Sequence, residues 1–81
     1  MSYDELEAKQ KAWAMECAMA VSSRREQINA AREKAKGKGD AERDQIFDDL
    51  KSTREELDHY YTELKNMGLS GTEIEQLIQL Q

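Results

Sequence analysis

The sequence predicts an all-α fold, an antiparallel helical hairpin of coiled-coil type followed by a short third helix. The chain contains no proline, and its four glycines fall in two places, Gly37 with Gly39 and Gly68 with Gly71. Between these places the residues are mostly Ala, Glu, Lys, Gln, Arg, Leu and Met, which favour helix. Apolar residues also recur at heptad-like spacing in both long segments. We therefore expect one domain with two long helices and a short one.

The first predicted helix covers about residues 3–36. Ser2 and Glu5 have the spacing of a capping box, and Met1 and Leu6 that of a hydrophobic staple. At 1.5 Å per residue such a helix is roughly 50 Å long.

The predicted turn at 37–40 is a glycine-rich break, with Asp40 as the next N-cap. The second helix then covers about 41–67, and Gly68 suits a left-handed position just after its C-terminus. A short connection between long helices makes them antiparallel neighbours.

The third predicted helix covers about 71–80 and has the same signals at its N-terminus. Ser70 and Glu73 form a second capping-box pattern, and Leu69 and Ile74 a second staple.

The facing stripes of the two long helices set the expected register. Folding about the turn places Trp13 near Leu64 and Cys17 near Tyr60, with Arg24 near Thr53 as a polar layer. The predicted stripe of the second helix is Ile46, Leu50, Thr53, Leu57, Tyr60, Leu64 and Met67, widened by Phe47 and Tyr61. The predicted stripe of the first helix is Leu6, Gln10, Trp13, Cys17, Ala20, Val21, Arg24, Ile28, Ala31 and Ala35.

A second apolar face remains on the first helix after this pairing. At about 100° per residue, Ala8, Ala12, Met15 and Met19 point roughly opposite to Cys17. A two-helix hairpin leaves this face in water, so we expect something to cover it. Alanine permits close approach of another helix, and methionine adapts to irregular surfaces.

Three coverings of this face are open. The third helix can fold back over the methionines, a second copy can dock to form a helical-bundle dimer, or a different protein can supply a helix. These coverings can also combine. The residues that would then cover the face or join the contact are Ile74, Leu77 and Ile78.

No residue pattern predicts an enzyme, a cofactor or a metal site. Glu56 and His59 have a spacing used by di-iron bundle proteins, but His59 points far from the stripe of its helix. Cys17 lies among apolar residues, where a structural thiol is expected. We find no phosphate-binding loop, zinc-type cysteine pair or nucleophile–base grouping in the sequence.

Composition favours a small cytoplasmic protein with no membrane segment. Cys17 is the single cysteine and the N-terminus is polar, which suits a reducing compartment. The net charge of −5 argues against broad nucleic-acid binding. The charge is uneven, however, with a local net charge of +4 over 24–38 and −7 over 40–81.

The basic segment 24–38 at the hairpin tip is the basis of a competing interpretation. Six cations there are candidate phosphate contacts, although no aromatic residue is interleaved for base stacking. They are Arg24, Arg25, Arg32, Lys34, Lys36 and Lys38. A further alternative is an inhibitor whose acidic helices imitate nucleic acid.

The sequence thus favours a non-enzymatic protein–protein interaction module: an adaptor, a chaperone or an inhibitor or regulator of a larger protein. Its expected partners are a second copy of itself, a larger protein, or both, reached through Ala8, Ala12, Met15 and Met19. The alternatives are a nucleic-acid-associated regulator that uses the basic tip and the acidic mimic.

Overall fold

The structure is a computed structural model that describes residues 2–81, and across them it is all-helical with no strand. It is elongated, with extents of 49 × 19 × 17 Å. The predicted all-α class is confirmed. In chain order the elements are a 3₁₀ turn at Tyr3–Glu5, α1 at Ala8–Ala35, α2 at Asp40–Asp49, α3 at Lys51–Asn66 and α4 at Gly71–Gln79.

The long helix α1 begins later than the capping pattern predicts. Ser2 Oγ bonds the Glu5 carboxylate at 3.4 Å instead of capping a backbone N–H, and a 3₁₀ turn follows. Leu6 and Glu7 are extended, which lets Leu6 turn inward and become buried. Glu7 takes the N-cap position, and its N–H donates to Gln10 Oε1 at 3.2 Å. The predicted staple partner Met1 lies outside the described residues.

The turn between α1 and α2 is close to the predicted one. Gly37 has a φ of +80°, which explains why glycine stands there. The N-cap of α2 is Gly39, not Asp40, which is instead the first helical residue. In that position the Asp40 carboxylate still interacts favourably with the positive end of the helix dipole.

The second predicted helix is interrupted at Leu50, which separates α2 from α3. The backbone stays right-handed there, but the Leu50 N–H donates to the Phe47 carbonyl at 3.2 Å, a tighter turn than in an α-helix. Leu50 is buried, whereas α2 itself contributes no buried residue. The interruption therefore falls at a buried residue that directly follows a helix with no buried residue.

The left-handed Gly68 and the Ser70 cap predicted before α4 are confirmed, whereas the Glu73 side chain does not complete the predicted capping box. Gly68 has a φ of +88°, and its N–H donates to the Lys65 carbonyl at 2.9 Å. Ser70 caps α4, since its Oγ accepts from the Glu73 N–H at 3.2 Å. The Glu73 carboxylate accepts from the Tyr3 N–H at 2.9 Å and so ties the start of the chain to α4.

The main core lies at the end of the hairpin where α1, α3 and α4 meet. Its buried residues are Leu6, Ala14, Cys17, Ala18, Val21, Leu64, Leu69, Ile74, Leu77 and Ile78. Toward the tip only Ile28, Ala35 and Leu50 are buried among the described residues. The hairpin therefore has a three-helix end and a thinner two-helix tip.

The pairing of α1 with α3 follows the predicted antiparallel arrangement, with shifts at individual residues. The rings of Trp13 and Tyr60 lie 6.4 Å apart. Arg24 Nε bonds Glu56 at 3.1 Å, and Glu56 lies about one helical turn after Thr53, the residue near which Arg24 was predicted. Trp13 is 39% exposed, so its predicted place in the core is wrong. The buried side of α1 is rotated toward Ala14, because α4 packs on that side as well as α3.

Helix length and apolar content rule out a membrane-crossing helix anywhere in residues 2–81.

Candidate interaction surface on the outer side of helix α1

Four apolar residues of α1, which we call the outer strip, follow one side of the helix. They are Ala8, Ala12, Met15 and Met19, spaced four, three and four residues apart. This spacing keeps them on one side, opposite Cys17. Ala8 and Ala12 are exposed, and Met19 is 56% exposed, whereas Met15 is half-buried against the core. The outer strip is thus an apolar surface on the outside of α1, in a chain of which 36% of the residues are charged.

Helix α4 covers a different side of α1. Ile74, Leu77 and Ile78 are buried in one cluster with Ala14 and Ala18. Folding back of the third helix was one of the three expected coverings, and it occurs, but it leaves Met19 exposed while Met15 packs partly against the resulting core. The three α4 side chains are therefore buried inside the chain, whereas Met19 of the outer strip is exposed.

An ion pair fixes α4 on α1. Both Arg25 guanidinium nitrogens Nη1 and Nη2 donate to the Glu75 carboxylate, at 2.8 and 2.7 Å. The hydrogen bond from Arg25 lowers the pKa of the Glu75 carboxyl, with a further lowering contribution from Tyr61. The same bond raises the pKa of Arg25.

The thiol of Cys17 is fully buried beneath these helices. Burial, together with smaller contributions from the nearby carboxylates of Glu63 and Glu16, raises its pKa to about 11. A thiol in this state is protonated at neutral pH and is a poor nucleophile.

Glu56 and His59 line one open groove of about 450 Å³ with Tyr60. The Glu56 carboxylate is already bonded to Arg24, and His59 Nε2 lies 4.0 Å from Glu63. Across residues 2–81, no three His, Cys, Asp or Glu side chains converge as a metal site would require.

The basic tip is largely paired with carboxylates of the same chain. Within residues 2–81 four of its six cations take part in ion pairs, which are Arg24–Glu56 at 3.1 Å, Arg25–Glu75 at 2.7 Å, Lys36–Glu33 at 3.0 Å and Lys38–Glu42 at 3.9 Å. Arg32 and Lys34 are exposed and form no such pair there. This pairing reduces the positive field that a phosphate backbone would meet.

One surface feature was not predicted from the sequence, a groove at the tip side of α1 and α3 lined by Arg25, Ile28, Asn29, Arg32 and Leu57. A signal was available in the sequence, because α1 has two β-branched aliphatic residues and each is followed four places later by arginine, at Val21 with Arg25 and at Ile28 with Arg32.

Comparison of the chain with protein-family models, with curated proteins and with solved structures found no match.

Proposed function

We propose that the chain is a non-enzymatic protein–protein interaction module that dimerises through the outer strip of α1, and that acts as an adaptor, chaperone or inhibitor on a larger protein. The observation that carries the proposal is the exposure of Met19, 56%, in line with Ala8, Ala12 and Met15. An apolar strip left outside the core of a small, highly charged chain is typical of a contact surface.

The order of residues in the outer strip favours a second copy as the partner. Read from the N-terminus it is Ala, Ala, Met, Met, at alternating heptad core positions. Two antiparallel copies of α1 related by a twofold axis place Ala8 opposite Met19 and Ala12 opposite Met15. Each layer then holds one small and one large side chain, so the layers have equal volume. A parallel pair would stack alanine on alanine and leave gaps there.

The flanking charges agree with this antiparallel pairing. Lys9 and Glu16 are seven residues apart and flank the outer strip on the same side. In the antiparallel pair Lys9 of one copy faces Glu16 of the other, and the twofold axis repeats the attraction. Both side-chain packing and charge attraction therefore favour the antiparallel pair of α1 helices, and no residue of α4 takes part in it.

Sedimentation equilibrium between about 10 and 500 μM tests the dimer, a range chosen to bracket a weak micromolar association. The parent chain should show dimer, and Met15→Glu/Met19→Glu should sediment as monomer. Met19→Glu alone serves if the half-buried Met15 position does not tolerate a charge. A matched control, Thr62→Glu/Gln76→Glu, adds the same charge at exposed positions and should still dimerise. A monomeric parent over the whole range would refute the proposal.

Crosslinking tests the orientation in a Cys17→Ala background, which removes the native thiol. Chains with Ala8→Cys and chains with Met19→Cys should form a disulfide when mixed, and neither should crosslink alone. Crosslinking of Ala8→Cys with itself would instead indicate a parallel pair.

A further inference from the structure

The groove at the tip side of α1 and α3, which we call the tip groove, has an apolar floor and cationic sides. It encloses about 300 Å³ and is lined by Arg25, Ile28, Asn29, Arg32 and Leu57. Ile28 is buried and Leu57 half-buried, so their side chains form the floor. The two arginines and Asn29 line the sides of the groove.

The tip groove continues the site that α4 occupies on the same helix. Arg25 belongs to both, because it bonds Glu75 of α4 and also lines the tip groove. Under α4, the fully buried Val21 precedes Arg25 by four residues. Seven residues further on, or two helical turns, Ile28 precedes Arg32 by the same four residues. The α4-binding pattern of α1 is therefore repeated at the tip groove.

Helix α4 shows what the aliphatic residue and the arginine of this pattern bind. It presents Ile74, Leu77 and Ile78 inward and a carboxylate, Glu75, to the arginine. At the tip groove the equivalent arginine, Arg32, is exposed and forms no ion pair within residues 2–81.

From this repetition we infer that the tip groove binds an acidic amphipathic helix of a partner protein. Its aliphatic stripe packs on Ile28 and Leu57, and one of its carboxylates pairs with Arg32 as Glu75 pairs with Arg25. The tip groove and the outer strip lie on different sides of α1. A partner helix in the tip groove is therefore compatible with dimerisation, and the inference does not depend on the proposed function.

The probe for this site is a synthetic, fluorescently labelled peptide with the sequence of residues 70–81, the one helix of suitable pattern that the fold itself displays. The tethered α4 competes for its own site at an effective concentration of the order of millimolar, so added peptide is directed to the tip groove. Amide resonances of Ile28, Asn29, Arg32 and Leu57 should shift on titration. Arg32→Glu should weaken binding at least about fivefold, which corresponds to about 1 kcal/mol.

Two matched controls separate specific binding from general attraction. Arg43→Glu makes the same charge change on α2 and should leave affinity within about twofold, since an exposed charge away from the groove is screened. A peptide in which both glutamates are glutamine should bind as weakly as the parent peptide binds Arg32→Glu.

Several outcomes would overturn the inference. These are no binding up to millimolar peptide, affinity unchanged by Arg32→Glu, or shifts at Ala14 and Ala18 that report displacement of α4. Loss of the chain's own dimer in Arg32→Glu would show that a second copy occupies the tip groove and would equally reject a foreign helix. Met19→Glu should leave peptide binding intact. Failure of the dimer proposal can therefore be distinguished from failure of the tip-groove inference.

Discussion

The Arg25 guanidinium donates two parallel hydrogen bonds to the Glu75 carboxylate, and these bonds join residues 50 positions apart in the sequence. A bidentate pair fixes direction as well as distance. It therefore sets where α4 lies along α1 and how α4 is rotated. The two side chains are 38% and 43% exposed, so solvent screening keeps the energy of the pair small.

Glu75→Gln should lower the free energy of unfolding at pH 7 by about 0.5–1 kcal/mol, the range for a well-formed exposed pair. Because folding lowers the pKa of Glu75, its contribution is present above the unfolded pKa of about 4.3 and disappears as pH falls through the folded pKa. Urea denaturation should show parent and variant converging below that range. Glu55→Gln, at an exposed α3 position, is the control and should change little at either pH. A gap that persists at pH 2 would contradict the assignment.

Ile74→Ala should destabilise the fold by about 2–5 kcal/mol, because Ile74 is fully buried and its loss leaves a cavity. Leu80→Ala removes a similar side chain from the same end of the chain, but Leu80 is 74% exposed. It should change stability by no more than about 0.5 kcal/mol. Thermal and chemical denaturation measure both, and equal effects would show that α4 is not docked as described.

Gly68→Ala and Gly71→Ala should have opposite effects. Gly68 has a φ of +88°, where a side chain costs about 1–2 kcal/mol. Gly71 opens α4, and an added Cβ there meets no atom within 4 Å. Alanine at 71 should stabilise by about 0.4–1 kcal/mol, because it restricts the unfolded chain. Urea denaturation of both variants checks this, and the same sign in both would be inconsistent with the turn.

The thiol of Cys17 should react slowly with Ellman's reagent in the native protein. Its pKa of about 11 leaves roughly one thiolate in a thousand at pH 8, and burial denies access to the reagent. Reaction should accelerate to the rate of a free thiol in urea. Rapid labelling of the folded chain would mean that α4 and α3 do not close over this position.

Local signals made much of the fold predictable, whereas packing against α4 did not follow from them. The left-handed Gly68 and the Ser70 cap depend on neighbours within three residues, so the sequence was sufficient there. The start of α1 depends on burial of Leu6 against distant helices, and local capping patterns pointed elsewhere. Trp13 was misplaced for the same reason, because a two-helix stripe cannot show which side a third helix will occupy.

For the surface, the sequence predicted that α1 has two apolar sides, and Met19 is indeed exposed on the outer one. What it left open was whether α4 covers that side. The choice depends on the Arg25–Glu75 pair and on the burial of Ile74. Both link parts of the chain that are far apart in sequence.

The unequal ends of the hairpin imply unequal opening. Because α2 contributes no buried residue, little apolar area holds the tip closed, while the other end is held by three helices. Amide protons of α2 should therefore exchange with solvent through local fraying, well before those of α1 around Cys17. The tip can unwind and reform while the three-helix end stays folded, so a ligand that stabilises the tip would act on a segment with its own equilibrium.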